Sequence, residues 1–506
     1  MELSSPLQDL HLSSSGKLLP SPEVPPITEL LPRLREKLIA AANKPSEART
    51  LIGQLEQLFL TADPDWLFPP ISTQEDEWAG LKAEYAHLIR AVIGCVALPV
   101  CSDDCSSLSA AAYQSVPSQA TGVCSALTAL LQNFGKGGGV KGPAAQLLHT
   151  LAPPICVFAV THFQEQAWTS SSSRDGARRL QTTLLKVGGW KDSAHLLMGS
   201  EQEEHGGILT GVLDILQPQM SKDSWQRCEA VKLVFAWTLL QVTRPSLSPH
   251  LHRLLPPSLL LNDDYRPENS MLGVRCLHHI VLHTATADLR HFNQAEVVYQ
   301  AVFKHLYTNQ AAVIQLSLSC LLDLLLVLEK SPSSPDPSSS HRKPCRHDDV
   351  LRLILTHMEA EHKVALRRVY ASALPLYIDR MGVAVCRHLK RLERVLLGYL
   401  EISDPPEETN RLKILDVLQK TIRAAWPRME ARSDALLLCL LRLLVDVSSD
   451  RQLGESVQRE LMDQAATSLR LLDACSHGRV QLLFQQVDSS CCSSDVLGCL
   501  ATVMEK

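Results

Sequence analysis

Aromatic residues are scarce in this chain: they make up 5% of its 506 residues, whereas hydrophobic residues together make up 45%. Aromatic and β-branched residues are typical of strands, while leucine, abundant here, keeps its rotamer freedom in a helix. No alternation of apolar and polar residues is long enough to indicate a strand. The composition therefore predicts a helical protein with a large buried core.

An excess of positive charge is also missing. The chain has 49 lysines and arginines against 54 aspartates and glutamates, which gives a formal net charge of −5. A protein that binds phosphate backbones usually carries a basic surplus. We therefore expect no nucleic-acid partner.

The sequence shows neither a secretory signal nor a membrane-spanning run. Its first 26 residues are polar and rich in proline, without a basic segment followed by an apolar one. The apolar string "ALLLCLLRLLVDV" is interrupted by Arg442, well short of the roughly 20 residues that a span requires. Fifteen scattered cysteines, an odd number, suggest reduced thiols. We expect a cytoplasmic and nuclear protein without membrane contact.

Composition divides the chain into six segments. The linker string "EKSPSSPDPSSSHRKPCRHDD" is too rich in serine and proline to form a helix. Another serine-rich break, "TSSSSRDGARR", is predicted to precede a helix rather than to belong to it. The predicted segments are a disordered tail at 1–26, a helical region with loop insertions at 27–150, HEAT-like repeats at 151–330, a Ser/Pro-rich linker at 331–347, further HEAT-like repeats at 348–485, and a C-terminal tail at 486–506.

A repeat underlies the helical part. An acidic or amide residue is followed five positions later by an apolar residue and then by a basic or amide residue, with most copies roughly 40 to 46 residues apart. This period is typical of two-helix repeats, which bury their apolar faces only when stacked on neighbours. The pattern predicts an all-α, HEAT/armadillo-like α-solenoid of stacked helix pairs. Its copies are Gln226/Val231/Lys232, Asn269/Val274/Arg275, Asn309/Ile314/Gln315, Glu361/Leu366/Arg367 and Glu407/Leu412/Lys413.

The string "NDDYRPENSMLGVRCLHHIVLHT" raises the question of an active site. His279 and His283 are four residues apart and could share a metal on one helix face. A zinc hydrolase of the HExxH type has a glutamate directly after its first histidine, but here Ile280 follows His279. Within the repeat, Asp264 belongs to a turn and Asn269 is expected to cap the next helix. We therefore expect these residues to have structural roles. We expect the protein to be a scaffold and not an enzyme, and to bind no cofactor.

Two further strings carry residues typical of ligand sites. "HRKPCRHDD" contains His341, Cys345 and His347, but no second pair follows at the spacing of a zinc module. "GKGGGVKG" lacks the Gly-Lys-Ser/Thr of a phosphate loop. Neither string is therefore predicted to bind a ligand.

The string "RHLKRLERVLLGYLE" predicts a helix with a basic stripe opposite a leucine stripe. Only Glu393 offsets the four cations locally. The stripe is either an ordinary solvated helix face or a contact for an acidic partner. Its cations are Arg387, Lys390, Arg391 and Arg394, and its leucines are Leu389, Leu392 and Leu396.

Several long strings together resemble the Tti2 family. They are "CVFAVTHFQEQAWT", "WTLLQVTRPSLSPHLHRLLPPSLLLNDDY", "GVRCLHHIVLH", "DDVLRLILTHMEAEH", "RHLKRLERVLLGYLE" and "RLKIL", and the similarity runs from about residue 150 to 480. The resemblance implies a non-catalytic helical-repeat protein, the smallest subunit of the TTT co-chaperone complex with Tel2 and Tti1.

The resemblance also implies partners. The chain would bind Tti1 directly and Tel2 within the complex. Through the Hsp90 chaperone and its adaptor complex it would support the phosphatidylinositol-3-kinase-related kinases (PIKKs), and with them DNA-damage and nutrient signalling. The apolar residues of "RLKILDVLQKTIRAAWPRMEARSDALLLCLLRLLVDV" are too dense for one buried stripe, so we expect the Tti1 interface there. The alternative is a HEAT-repeat adaptor of another complex, such as a transport or phosphatase scaffold.

Overall fold

The structure, a computed structural model, describes residues 25–42, 44–69, 75–101, 108–135, 143–200, 206–333, 343–485 and 492–504. The predicted tail at 1–26 and the centre of the predicted linker lie almost entirely outside these residues. The described residues form helices joined by short turns, and the predicted all-α, HEAT-like class is confirmed. The chain divides into two compact units, residues 1–257 and 258–506, here called unit one and unit two.

Unit one is built from paired helices around a leucine-rich core. Helix α1 packs against α4, α2 against α5, and α5 and α6 both pack against α7. The predicted leucine stripe of the first helix, Leu30, Leu31, Leu34 and Leu38, is buried. Its helices are α1 (Ile27–Ala41), α2 (Pro45–Thr61), α3 (Pro64–Leu67), α4 (Glu75–Gly94), α5 (Val116–Gly135), α6 (Pro143–His162), α7 (Ser171–Gly188), α8 (Ser193–Met198), α9 (Leu209–Leu216) and α10 (Glu229–Gln241).

The start of α7 corrects one prediction. The string "TSSSSRDGARR" was expected to be a break, but the helix begins inside it, at Ser171. Ser170 accepts a hydrogen bond from the Ser173 amide, and the Ser173 hydroxyl accepts one from the Ser170 amide. This reciprocal cap satisfies amides that have no partner within a helix, so consecutive serines begin the helix instead of preventing it.

Unit two consists mainly of successive helix pairs, each joined by a short turn. The chain passes from α11 into α12, from α14 into α15, from α16 into α17, from α18 into α19 and from α20 into α21. Its helices are α11 (Leu251–Asn262, containing the division between the units), α12 (Pro267–His283), α13 (Thr286–Arg290), α14 (Gln294–Phe303), α15 (Ala311–Leu328), α16 (Arg346–Ala360), α17 (Val364–Met381), α18 (Leu389–Leu400), α19 (Thr409–Ala425), α20 (Ser433–Ser449), α21 (Glu455–Cys475), α22 (Arg479–Phe484) and α23 (Ser494–Met504).

Short 3-10 helices lie between the α-helices of both units. They lie at Ala110–Tyr113, Gln217–Met220, Ser248–His250, His291–Asn293, Lys304–Tyr307, Gly382–Arg387, Trp426–Arg428 and Glu430–Arg432.

The second helices of successive pairs stack on one another. Helix α15 packs on α12, α17 on α15, α19 on α17 and α21 on α19. Val274, Ile314 and Leu366, the apolar members of three repeat copies, are buried in this stack, whereas Leu412 is half-buried. Each helix therefore buries its apolar stripe against the next pair as well as its own partner.

Two helices are long and apolar enough to cross a membrane by length and composition alone. They contain the segments Ala144–His162 and Ala311–Leu328, and roughly half of each is buried in the helix packing. The second also carries Asp323, whose carboxylate bonds His278 at 2.8 Å. Helix α23, which falls in the predicted C-terminal tail, packs against α20 and α21.

The stack can be tested by placing a charge inside it. We expect Val274→Asp to lower the free energy of unfolding by about 3 to 5 kcal/mol, because the carboxylate would be buried without a partner. Leu282→Asp is the matched control, since it adds the same side chain to the same helix at an exposed position. Chemical denaturation of both variants measures the difference. Equal stability of the two variants would contradict the position of α12 in the stack.

Candidate interaction surface at the turns of unit two

Each of four successive helix-pair turns in unit two exposes one large apolar side chain. Tyr265 lies between α11 and α12, Tyr307 precedes α15, Val364 begins α17, and Ile402 lies between α18 and α19; each is more than half exposed. We call these four residues, together with the polar residues that hold their turns, the turn surface. Single exposed apolar residues are common on protein surfaces and do not indicate a binding site. The turn surface is therefore a candidate interaction surface only if its four turns contact one another.

The first turn is built around Asp264. Its Oδ1 accepts hydrogen bonds from the amide of Arg266 at 3.0 Å, from the Arg266 guanidinium at 2.9 Å and from the Asn269 side chain at 3.0 Å. Ser270 Oγ donates to the Asp264 carbonyl at 2.6 Å. Burial acts to raise the pKa of Asp264, but the bonds from Arg266 and Asn269 outweigh burial and hold its pKa below the ordinary value. The turn is therefore fixed around a buried, ionised carboxylate.

Direct contacts join the first turn to the second. Asn262 Oδ1 lies 3.0 Å from His305 Nε2, both residues being buried, and Lys304 Nζ lies 2.7 Å from Asp263 Oδ1. Burial lowers the pKa of His305, and the charge of Lys304 lowers it further. A neutral His305 can thus bond Asn262 without carrying a buried charge.

The remaining turns are joined in the same way. The Tyr307 ring lies 6.2 Å from that of His357, near the end of α16. Arg368 Nε donates to Asp404 Oδ2 at 3.0 Å, and its second amino group donates to Glu407 at 3.1 Å. The neighbouring Arg367 lies over the Tyr399 ring, 3.7 Å from its centroid. Because these contacts link each turn to the next, the turn surface is one continuous edge of unit two.

The predicted repeat anchors lie at these turns, but their contacts differ from one copy to the next. Asn269 is the third residue of α12 rather than its cap, because the helix already begins at Pro267, whose missing amide suits a first turn. Arg275 is exposed, and the cation that bonds Asp264 is instead Arg266. The turn predicted at Asp264 is present, and the Asp264 side chain accepts a hydrogen bond from the Arg266 amide two residues later, as in an Asx turn. The further bonds from the side chains of Arg266 and Asn269 were not predicted.

The Glu361 and Glu407 copies show two further arrangements. Glu361 accepts from the amides of His362 and Lys363, and its carbonyl accepts from Arg367 at 3.4 Å. Glu407 bonds Arg368 of the preceding helix pair, while Lys413 is exposed. The buried polar residues of that turn are its neighbours, among which Asp404 accepts from the Asn410 amide at 3.1 Å.

The basic stripe lies on α18 and the turn before it, with its leucines buried below. Arg391 bonds Glu359 at 2.7 Å, and Arg387 lies 3.9 Å from Asp348. Lys390 and Arg394 are exposed, and neither forms an ion pair closer than 4 Å with the described residues. The accessible positive charge is therefore smaller than the sequence indicates, because helix α16 supplies acids that the local sequence does not show.

Helix α20 carries an apolar stripe that its neighbours leave uncovered. Leu438 is 52% exposed and Val445 is 51% exposed, and Leu441 between them is half-buried. The opposite side of α20 is buried, with Leu436, Leu440 and Leu443 as its members. This explains the high density of apolar residues in the sequence: α20 has one stripe for the core and a second for its surface.

The three histidines of α12 take different positions. His278 Nε2 lies 2.8 Å from Asp323 Oδ2 of α15, so it ties two second helices together. The rings of His279 and His283 lie 4.3 Å apart on the same helix.

In the part of the chain that the structure describes, one group of three ligand-type side chains brings its donor atoms together: Glu329, Cys345 and His347. His347 Nδ1 lies 3.2 Å from Glu329 Oε2 and 3.9 Å from Cys345 Sγ. Cys345 and His347 were not predicted to form a site, and His341 lies outside the described residues. Glu329 precedes Cys345 by 16 residues across the linker, so no local spacing indicated it.

The carboxylate of this group is already ionised by its surroundings. Burial acts to raise the pKa of Glu329, but hydrogen bonds from Arg346, His347 and Cys345 outweigh burial, and its pKa lies below the ordinary value. Such a carboxylate is a good ligand for a cation.

Stacked helix pairs with polar turns and uncovered apolar stripes define a HEAT-like repeat protein. Comparison with known sequences identifies which one. The model of the Tti2 family matches residues 213–405. TELO2-interacting protein 2 of Homo sapiens is 48% identical over 72% of this chain and 72% of that protein. The Mus musculus protein of the same name is 42% identical over 78% of this chain and 77% of its own length. The chain belongs to the Tti2 family.

Solved structures were also compared with the chain. One, from the structure of Kap95p with RanGDP, aligns with 94% of this chain and 62% of its own length, at 13% identity and a TM-score of 0.48. Importin β aligns with 95% of this chain and 52% of its own length, at 12% identity and a TM-score of 0.42.

The turn around Asp264 predicts a pH-dependent loss of stability. The folded-state pKa of Asp264 lies below the unfolded value of about 3.9, so its stabilisation is present above that pH and is lost as the pH falls through the folded-state pKa. We expect Asp264→Asn to lower the free energy of unfolding by about 1 to 3 kcal/mol at neutral pH. Urea denaturation should show this difference shrinking below pH of about 3.9.

Asp263→Asn is the control for this prediction, since Asp263 is exposed and pairs with Lys304 at the surface. We expect it to change stability by less than about 1 kcal/mol. A loss as large as that of Asp264→Asn would mean that net charge, and not the buried turn, determines the effect.

Proposed function

We propose that this chain is a non-catalytic scaffold subunit of the TTT complex. In that role it acts with the Hsp90 chaperone system to support the folding, assembly and stability of PIKKs, and so the DNA-damage response and nutrient signalling. The observation that carries this proposal is the 48% identity to TELO2-interacting protein 2, a name that states an interaction with TELO2 for that protein. The proposal assigns the chain to the cytoplasm and nucleus.

The proposal gives the chain a direct interface with Tti1 and a place beside Tel2 in the complex. The Hsp90 adaptor complex and the PIKKs are indirect partners, and neither nucleic acid nor membrane takes part. A stacked helical chain suits this role because its helix ends and faces form a long surface. The proposed role requires no enzymatic step and no catalytic cofactor, since binding alone positions one partner against another.

The uncovered stripe of α20 is the proposed Tti1 contact. Interfaces of permanent complexes are on the order of 2,000 Å² or larger and are rich in apolar side chains. Leu438 and Val445 are both about half exposed and face away from the core of unit two. Burying them against a partner would remove apolar surface from water, which is the main driving force of association.

The experiment is affinity purification of the tagged full-length chain from cells, with mass spectrometry of the bound proteins. We expect the double variant Leu438→Asp/Val445→Asp to lower recovery of Tti1 and Tel2 at least tenfold, because two charges would enter an apolar interface. The matched control is Leu282→Asp/Val297→Asp, with the same residue types at 48% and 47% exposure elsewhere in unit two and outside the turn surface. We expect the control to recover both partners normally.

Three results can be distinguished. Loss of both partners in the α20 variant alone supports the interface. Normal recovery in both variants would place the Tti1 contact elsewhere while leaving the scaffold role in place. A wild-type chain that recovers neither Tti1 nor Tel2, but some other stoichiometric partner, would overturn the proposed function and point to an adaptor of a different complex.

A further inference from the structure

We infer that Glu329, Cys345 and His347 form a structural zinc site that ties the two ends of the linker between α15 and α16. Glu329 directly follows α15, Cys345 is the cap of α16, and His347 lies in the first turn of α16. The site depends only on unit two and is independent of the proposed function.

Two of the three donor–donor separations are close to those of a tetrahedral zinc shell. Zinc bonds of about 2.3 Å to sulfur and about 2.0 to 2.2 Å to nitrogen and oxygen place sulfur and nitrogen roughly 3.6 Å apart, and nitrogen and oxygen roughly 3.4 Å apart. In the structure Cys345 Sγ is 3.9 Å from His347 Nδ1, and His347 Nδ1 is 3.2 Å from Glu329 Oε2. All three donor atoms lie within 4.8 Å of one another.

An acidic side chain, Asp348, lies beside the same sulfur. Asp348 Oδ2 is 3.3 Å from Cys345 Sγ, while its Oδ1 is 2.9 Å from His388 Nε2. His388 therefore holds Asp348 at the edge of the site, in the way that outer residues orient the ligands of known metal centres. A water molecule would complete four-fold coordination.

The donor types select the metal. A thiolate, an imidazole and a carboxylate together suit zinc, whereas calcium and magnesium prefer oxygen ligands alone. On binding, the Cys345 thiol loses its proton to solvent and His347 coordinates through a neutral Nδ1.

The charge around the site favours a dication. Arg346 bonds Glu296 at 2.7 Å and Glu329 at 3.2 Å, and Arg387 lies 3.9 Å from Asp348. With the Cys345 thiolate, this leaves two more negative than positive groups, which one Zn²⁺ balances. The groups counted are Glu296, Glu329, Asp348 and Cys345 against Arg346 and Arg387.

The position of the site indicates its role. A metal bond between Glu329 and the start of α16 would cross-link two points that are 16 residues apart in the chain, and such a cross-link removes freedom from the unfolded chain. His347 is 1% exposed, so a metal on its Nδ1 would be held at the edge of the core rather than at the open surface. Zinc would thus fix where α16 begins relative to α15.

The test uses the purified, reduced, full-length chain, stripped of metal and then titrated with ZnCl₂ in the presence of a competing chelator. We expect one zinc per chain in the wild type and at least a hundredfold weaker binding in Cys345→Ser and His347→Gln. Cys386→Ser is the matched control, since Cys386 is a partly exposed cysteine of the same unit, and it should bind as the wild type does. His279→Gln/His283→Gln should also leave binding unchanged.

A second measurement needs no variant and so does not depend on variants folding. Alkylation of the wild type, followed by peptide mass spectrometry, reports each cysteine separately. We expect ZnCl₂ to slow the alkylation of Cys345 at least tenfold and to leave Cys386 unaffected. Absence of zinc binding, binding that survives Cys345→Ser, or equal protection of both cysteines would each overturn the site. None of these results would bear on recovery of Tti1 and Tel2.

Discussion

The stacking of the second helices is the constraint on which unit two depends. A single helix pair exposes one apolar face, and only the next pair can cover it, so α12, α15, α17, α19 and α21 must lie in sequence order. Val274 and Ile314, which lie on the first two of these stacked helices, are both fully buried. Stability is consequently shared along the chain, and a defect at one helix is felt first by the helices on either side of it.

Stacking alone does not fix how far each pair slides along the next, because leucine-rich surfaces tolerate several alignments. The polar contacts at the turns supply the missing specificity. Two hydrogen bonds form only when neighbouring turns lie side by side: one joins Asn262 to His305, and the other joins Arg368 to Asp404. The apolar contacts thus hold the pairs together, whereas the buried polar contacts determine their register.

The helical class could be predicted because leucine spacing and a repeat of constant period are local signals. The start of α12 could not be placed, since Pro267 and Asp264 determine it jointly and Asn269 alone resembles a cap. The compensation of Arg391 by Glu359 and the approach of Glu329 to Cys345 were equally inaccessible. Both depend on which helices become neighbours, and that information lies in the fold and not in any short string.

The uncovered stripe of α20 has a consequence for the amount of this protein in a cell. If α20 binds a partner as we propose, a chain made in excess of that partner would present Leu438 and Val445 to water, and chaperones and degradation machinery recognise exposed apolar surface. Orphan copies would therefore be short-lived, and the abundance of the chain would follow that of whichever subunit covers α20.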